Sequence, residues 1–513
     1  MTNQVTPLMK TSTLTILLTI CYLNCFAQCK TNQAIEFFNY NTVNNLYLEI
    51  DSTDYNQFIS MSLKPNQLVF GQLKIENKGK KESYCGISFH INDKVEDSNY
   101  KKSLKINFGQ HTDQLKGIYL EAINNDPTLS RKKLMNKLLV DLDIPTPRMS
   151  HTNLYINNQF IGLYLLSEPI DERFLHHQFD TNDGVLYNAH FGADLMNDPN
   201  SYLDDKVYQL YSGNDFHNNS LHSFLDSINL LHHTEFKAYI EKHFDTETFI
   251  KTLAVEILCG HWNNYAYNKN NFSLYQHPKT KKWTYIPKGY NNTFGINYVS
   301  NRIDWAVRDV NHWLDPYEAR LLVSKILEDP DYRNQFNIFI HQYIKTTFNT
   351  KVLSPYLNHQ KEILLPYVEN DYLYCMEYGW TESDFILSFE HQTNNHIDHG
   401  LKEFIDVRSR SALKQVILPT ENDLSSHWIK TIQYLPEPDK NVVWMTMNDM
   451  NYKRCMVTVV NDKGKTVKRF IYSPAASIKV EYDKFSKGTY FLNTEIENTK
   501  GSWVNLPNVL VTN

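Results

Sequence analysis

Residues Leu258–Asn297 read LCGHWNNYAYNKNNFSLYQHPKTKKWTYIPKGYNNTFGIN. Two apolar runs, NNFSLY and KKWTYIP, flank a polar HPKTKK turn, so the spacing predicts a β-hairpin. Just upstream, DTETFIKTLAVEILCG carries a long apolar stripe behind Asp245, a residue suited to an N-cap, and this predicts a helix. Downstream the hairpin runs into NNTFG, a tight polar turn of the kind that presents ligands at the mouth of a site. The turn holds no carboxylate.

Working outward, the segment from about Ala34 to Phe108 alternates apolar and polar positions in NLYLEID, QLVFGQLKIEN, YCGISFHIN and KKSLKINF, which predicts strands between polar turns. In NDPTLSRKKLMNKLLVDLDIPTP, Asp126-Pro127 is a helix-start signal, Leu129, Leu134, Leu138 and Leu139 keep helical spacing, and Pro145 ends the run. HTNLYIN and FIGLYLLSE then predict a hairpin, PIDERFLHHQF a helix and GVLYNAHF a strand. Helices are predicted over about Leu221–Gly260 and Ile303–Val416. After Leu418-Pro419 the texture changes to short strands between Asp-Lys-Gly and Ser-Lys-Gly turns, the pattern of a small antiparallel β-sandwich over 425–513, with its boundary between Pro419 and Trp428.

The 513 residues are too many for one core and predict two or three domains. Hydrophobic content of 42% and charged content of 21% exclude long disorder, and a net charge of −6 gives no support for nucleic-acid binding. Lys10 followed by LTILLTICYL and NCFAQ reads as a secretory signal peptide over residues 1–28, with cleavage near Ala27. That places the protein outside the cell or at its surface. The alternative is a lipoprotein with its lipid anchor at Cys29, the one membrane attachment the sequence offers. The body cysteines Cys85, Cys259, Cys375 and Cys455 show no CxxC pairing, which argues against a zinc ribbon and leaves disulfides and free thiols both open.

Common enzyme signatures are absent: no GxSxG, HExxH or GxxxxGK[ST] occurs. The pairs His176-His177 and His232-His233 point different ways on a helix, and His391, His396 and His399 match no metal motif; surface or core histidine is the better reading of each. Specificity comes instead from the order of several blocks: NDPTLSRKKL, LYINNQFIGLYLLSEPIDERFL, GVLYNAHF, LCGHWNNYAYNKNNFSLY, WTYIPKGYNNTFGIN and RDVNHW. This series resembles the CotH kinase family, secreted and spore-coat proteins with an atypical protein-kinase-like fold, over roughly Tyr84–Ile344. The resemblance implies an α+β fold: a CotH-like, atypical protein-kinase-like domain over 34–418, β-rich to about residue 110 and helical from about 220, followed by the C-terminal antiparallel β-sandwich. The sandwich itself resembles the small β modules that end secreted proteins of Bacteroidetes-type bacteria.

Residue by residue, the resemblance implies a nucleotide cleft in which Lys102, Arg131, Glu168, Asn188 and Lys288 stand at cofactor-binding positions. Lys101, Ser103 and Lys105 match the first block, whereas Ser88 and His90 stand where Arg is usual; Gly162, Tyr164 and Asp171 match the hairpin and the turn after it. Glu168 is expected to pair with a basic residue, Arg131 or Arg173 among them. The family's Leu-Tyr-Lys is here Leu186-Tyr187-Asn188, so the lysine expected on phosphate is gone. The expected catalytic Asp is Asn263. Of the metal positions, Asn271 is kept, while Gly289 and Asn291 replace the two carboxylates of the Ile-Pro-x-Asp-x-Asp loop, and Lys288 adds a positive charge.

Phosphoryl transfer needs Mg²⁺ on carboxylates and a group that orients the acceptor. Asn offers a carbonyl oxygen but neither charge nor a proton acceptor, and loss of a general base alone costs about 10²–10⁴-fold. The implied function is a secreted pseudokinase that binds or scaffolds a protein partner at the cell surface. ATP and Mg²⁺ are cofactors only under the alternative, an active protein kinase with a rearranged site, for which Asp304 and Asp309 or Lys288 would have to compensate. A third alternative is a surface adhesion or assembly protein whose sandwich makes the contacts.

Overall fold

The computed structural model describes residue 38 and residues 41–92, 99–108, 115–299, 303–318, 320–392 and 396–418, then the strands and adjoining turns between residues 432 and 512. The expected signal peptide, Cys29 and the Pro419–Trp428 boundary lie outside the described residues. By packing, the chain divides into two compact units, Met1–Val416 and Ile417–Asn513. The first is mixed α and β; the second is β-rich.

The first unit begins with a closed barrel. Its strands are β1 (Val43–Ile50), β2 (Val69–Asn77), β3 (Lys80–Ile91), β4 (Leu104–Asn107), β5 (Gly117–Glu121), β6 (Met149–Ile156) and β7 (Gln159–Ser167), in the order β1-β2-β3-β4-β5-β7-β6. β1 closes the ring by pairing in parallel with β6. Alternation in β1 to β5 sends Leu46, Leu48, Leu73, Ile75, Ile87 and Phe89 inward. β6 and β7 are buried along most of their length because both their faces are covered; β7 is mainly apolar, whereas β6 carries the buried polar residues Ser150, His151, Thr152 and Asn153. On β7, Tyr164 and Leu166 fill the barrel, whereas Leu163 and Leu165 join the core of the helical part.

Two local features depart from the sequence expectations. A short helix, α1 (Ser52–Ile59), interrupts the strand run, started by Asp51, whose carboxylate accepts the Thr53 amide at 2.7 Å. The next helix, α2 (Arg131–Val140), starts four residues later than a helix capped by Asp126 would. Asp126 instead gathers the amides of Thr128, Ser130 and Arg131 at 2.9, 2.9 and 2.8 Å around a left-handed Leu129, so its capping chemistry shapes a loop ahead of the helix.

A four-stranded sheet follows, ordered β11-β10-β8-β9, from β8 (Val185–Ala189), β9 (Tyr208–Ser212), β10 (Phe272–Gln276) and β11 (Trp283–Pro287). β10 and β11 are the expected hairpin. Helices Asn219–Leu230, His233–His243 and Thr246–Leu258 precede it, and helices Leu321–Glu328, Pro330–Thr346, Thr350–Val368 and Leu401–Gln415 complete the large core. Barrel and helical part are tied by Lys101, whose buried ammonium lies 2.6 Å from Asp371 and 2.7 Å from the Leu163 carbonyl.

In the second unit, strands Ile432–Glu437, Val442–Met447 and Ser477–Glu481 form one sheet. Tyr452–Asn461, Thr466–Tyr472, Thr489–Asn498 and Trp503–Thr512 form the other. Val443, Met445 and Ile478 of the first share a core with Val457, Val459 and Leu492 of the second, which makes a sandwich.

Candidate functional site

Between barrel and second sheet lies a cavity of about 200 Å³. Tyr119 and Glu121 of β5, Lys132 of α2 and Glu168 after β7 line it on the barrel side; Asn188 of β8, Tyr211 of β9 and the Lys288–Tyr290 segment line the other. Tyr211 also borders a neighbouring cavity of about 280 Å³, lined by Lys105, Lys116, Asp171 and Glu172.

Each acidic group of the first cavity has its own cation. Glu121 pairs with Lys132 and accepts the Ser167 hydroxyl at 2.7 Å. Glu168 takes Arg148 in a two-pronged contact, 2.7 Å from Nη2 and 3.0 Å from Nε, and accepts the Arg148 amide at 3.2 Å. Glu168 is thus paired as expected, but with Arg148 rather than Arg131 or Arg173. The Arg148 guanidinium lies over the Phe38 ring at 4.7 Å.

Lys288 is placed differently. Its ammonium donates to Asn188 Oδ1 at 3.1 Å, and that oxygen also accepts the Ser273 hydroxyl at 2.8 Å. No carboxylate lies within ion-pair distance of it among the described residues. Burial pushes Lys288 down to about 7. Burial likewise raises Tyr119 and Tyr211, which keeps both phenols neutral.

Not every candidate residue reaches the cavity. Glu168, Asn188, Lys288 and Gly289 line it; Lys102, Arg131, Asn263, Asn271 and Asn291 do not. Lys102 is half-buried ahead of β4. Arg131 is fully buried; it contacts Asp126 and the carbonyls of Phe294 and His399 at 3.2 and 3.1 Å, tying α2 to the NNTFG loop. Its position in the sequence marked it as a ligand contact, but its neighbour on the same first turn, Lys132, is the one that faces the cavity. Asn263 organises a turn: its Oδ1 accepts the side-chain amides of Asn268 and Asn270 at 2.7 and 3.2 Å, and its carbonyl accepts that of Asn271 at 2.8 Å. Gly289 has φ 71°, and the Asn271 amide sits where a Cβ at 289 would be. Asn291 is half-buried in the loop.

The rest of the loop is held structurally. Thr293 donates to the Tyr290 carbonyl at 3.0 Å, Asn292 accepts from Asn125 at 3.1 Å, and Phe294 inserts into the core with φ 50°. Asp304 is engaged by His399 at 3.0 Å, and Asp309 by His312 at 2.7 Å. Neither lines the cavity. Among the described residues no group of three His, Cys, Asp or Glu side chains could hold a metal ion. Cys85 is disulfide-bonded, whereas Cys259, Cys375 and Cys455 are free thiols. Glu121, Lys132 and Arg148 escaped the sequence reading: Glu121 and Arg148 lie outside the quoted blocks, and Lys132, inside NDPTLSRKKL, is passed over for its neighbour Arg131.

The CotH kinase protein model matches residues 83–412, well over half of the chain. The chain belongs to the CotH kinase protein family. It is 22% identical to invasin CotH2 of Rhizopus delemar over 408 residues, covering 74% of this chain and 68% of that one. It is also 22% identical to invasin CotH3 of the same fungus, covering 58% and 53%, and 23% identical to the inner spore coat protein H of Bacillus subtilis, covering 53% and 74%. A solved structure, CopC from Methylosinus trichosporium, is 13% identical and covers 14% of this chain and 74% of its own at TM-score 0.12, too little to bear on the fold. Residues 434–504 match a secretion system C-terminal sorting domain, which marks this CotH protein as secreted or displayed at the cell surface. Among the described residues no helix is long and apolar enough to cross a membrane.

Proposed function

We propose that this CotH protein is a secreted pseudokinase: a kinase-like architecture that binds or scaffolds a protein partner at the cell surface without transferring phosphate. One observation carries the reading. Positions 263, 289 and 291 hold no acid, and at 289 the Asn271 amide fills the space an acidic side chain would start from. The carboxylates that do line the cavity, Glu121 and Glu168, are neutralised by Lys132 and Arg148. Mg²⁺ binds through free carboxylate oxygens and retained waters, so this donor set does not fit it. The neutral amides of Asn263 serve a turn and have no basicity to offer an acceptor hydroxyl. A role for the second unit in export, in keeping with its sorting-domain match, accounts for the C-terminal sandwich better than adhesion does.

The test is a phosphotransfer assay on the full chain with labelled ATP, Mg²⁺ or Mn²⁺, and protein acceptors including the chain itself. No transfer above background is expected. Metal-dependent transfer that disappears in Lys288→Met would overturn the reading in favour of an active kinase with a rearranged site.

A further inference from the structure

The barrel carries a sulfur whose partner lies outside the described residues. Cys85 of β3 is disulfide-bonded. Cys259, Cys375 and Cys455 are free thiols, and Cys259 and Cys455 are buried besides. The chain has seven cysteines, so the other half of the bond is Cys21, Cys25 or Cys29. Cys21 and Cys25 fall within LTILLTICYLNCFAQ, ahead of the cleavage point expected near Ala27. Loss of that leader takes both away and leaves Cys29.

The fold prepares Cys85 for such a bond. Strand alternation turns Tyr84 into the barrel and Cys85 to its outer side. Gly86, with φ 67°, is skipped in the pairing of β3 with β2, where Ile87 faces Gly71 and Cys85 faces Gln72. This bulge returns Ile87 to the barrel interior. A Cβ placed on Gly86 would meet nothing within 4 Å, so the outer surface beside Cys85 is open. Phe38 reaches the same barrel, buried in the cluster that holds Tyr84. Cys29 stands nine positions before Phe38, a length of chain that spans at most about 30 Å.

We propose that Cys29 is the partner of Cys85, a staple that fixes the start of the exported chain to the barrel wall and leaves no sulfur for a lipid anchor. A lipoprotein anchor is a thioether from the Cys29 sulfur to a diacylglyceryl group, whereas the disulfide needs that sulfur as a thiol. One sulfur cannot serve both. Cleavage ahead of a lipidated Cys29 also removes Cys21 and Cys25, which strands Cys85, so the bond at Cys85 opposes the lipoprotein route. Closing the staple converts two thiols into one S–S bond. The two protons and two electrons pass, by thiol–disulfide exchange, to a disulfide donor of the export compartment, which is reduced to a dithiol. Display at the cell surface, where it occurs, does not then depend on an N-terminal lipid.

The test uses the full precursor, exported by its own leader and alkylated with iodoacetamide under denaturing conditions before any reduction. Mass spectrometry of the digest is expected to show one peptide pair joining Cys29 to Cys85, split by a reductant, with Cys259, Cys375 and Cys455 alkylated. In Cys29→Ser, Cys85 is expected to take the label without reduction. An alkylated Cys85 in wild type, a Cys85 joined to any other cysteine of the wild-type chain, or a Cys29 that carries a diacylglyceryl mass would each overturn the proposal. None of these outcomes touches the pseudokinase reading, which stands or falls on the phosphotransfer assay.

Discussion

The side-chain amide of Asn271 occupies the space that a Cβ on Gly289 would require, and Gly289 is itself in the left-handed region at φ 71°. Asn271 shares that region at φ 55°. The loop is therefore closed to an acid at this position by its neighbour as well as by its own backbone. Gly289→Asp is expected to lower stability by about 1–3 kcal/mol, read as a lower urea midpoint at constant slope. Adding Asn271→Gly, which suits the local φ and removes the obstructing amide, should recover part of the loss. A Gly289→Asp protein as stable as its parent would show that the loop accommodates an acid.

Arg148 is about one-third exposed, but its partner Glu168 is buried. Truncating the arginine leaves a buried carboxylate with fewer donors, so Arg148→Ala should cost about 1–3 kcal/mol. Arg148→Lys should recover less than half of that, because an ammonium cannot reproduce the two-pronged contact. Thermal melts of the two variants compare them directly.

Lys101 and Asp371 are both almost fully buried, and Asp371 also accepts the amides of Leu163 and Leu373 at 2.8 and 3.1 Å. Removing one side of such a pair strands the other, so Lys101→Met should destabilise by about 3–5 kcal/mol. In a double-mutant cycle with Asp371→Asn, the combined loss should fall short of the sum by about 1–3 kcal/mol. Simple additivity would mean the pair is not coupled.

His399 contributes a pH dependence. Burial pulls its pKa down, but the hydrogen bond and charge of Asp304, with Glu403 behind it, leave it above the usual histidine value. Burial raises Asp304, yet His399 and the Ala306 amide leave it below the usual carboxylate value. A raised histidine stabilises fully below its unfolded pKa of about 6.5 and loses that contribution as pH rises through the folded value. A lowered carboxylate stabilises above about 3.9 and loses it as pH falls. The pair therefore supports the fold between those limits. His399→Gln should flatten the decline in denaturation midpoint just above pH 6.5.

Much of this fold was legible because period and punctuation agreed. The hairpin around HPKTKK, the helix behind Asp245 and the sandwich strands each carried a local signal that packing did not override. Asp126 was misleading because one carboxylate can serve a loop as well as a helix end, and the left-handed Leu129 that decides between them has no sequence signature. The site was half legible. Glu168, Asn188, Lys288 and Gly289 fall at positions the family resemblance marks, but the pairs Glu121–Lys132 and Arg148–Glu168 join different elements through side-chain packing that no local sequence pattern announces. Adjacent residues also diverge: Arg131 turns inward to carbonyls and Lys132 outward to the cavity, a choice made by tertiary packing.

The parallel pairing of β1 with β6 sets an order for assembly. Asn45 meets Asn153 across this seam at 2.9 Å, although the two are 108 positions apart in the chain. The first strand can pair with β2 early, since they are joined by a local connection, but its other edge stays unmatched until the β6–β7 hairpin has formed. Joining ends so far apart costs loop-closure entropy that only the finished ring returns, and such distant pairings slow folding. The barrel should thus complete late, with its N-terminal strand exposed at one edge in the meantime.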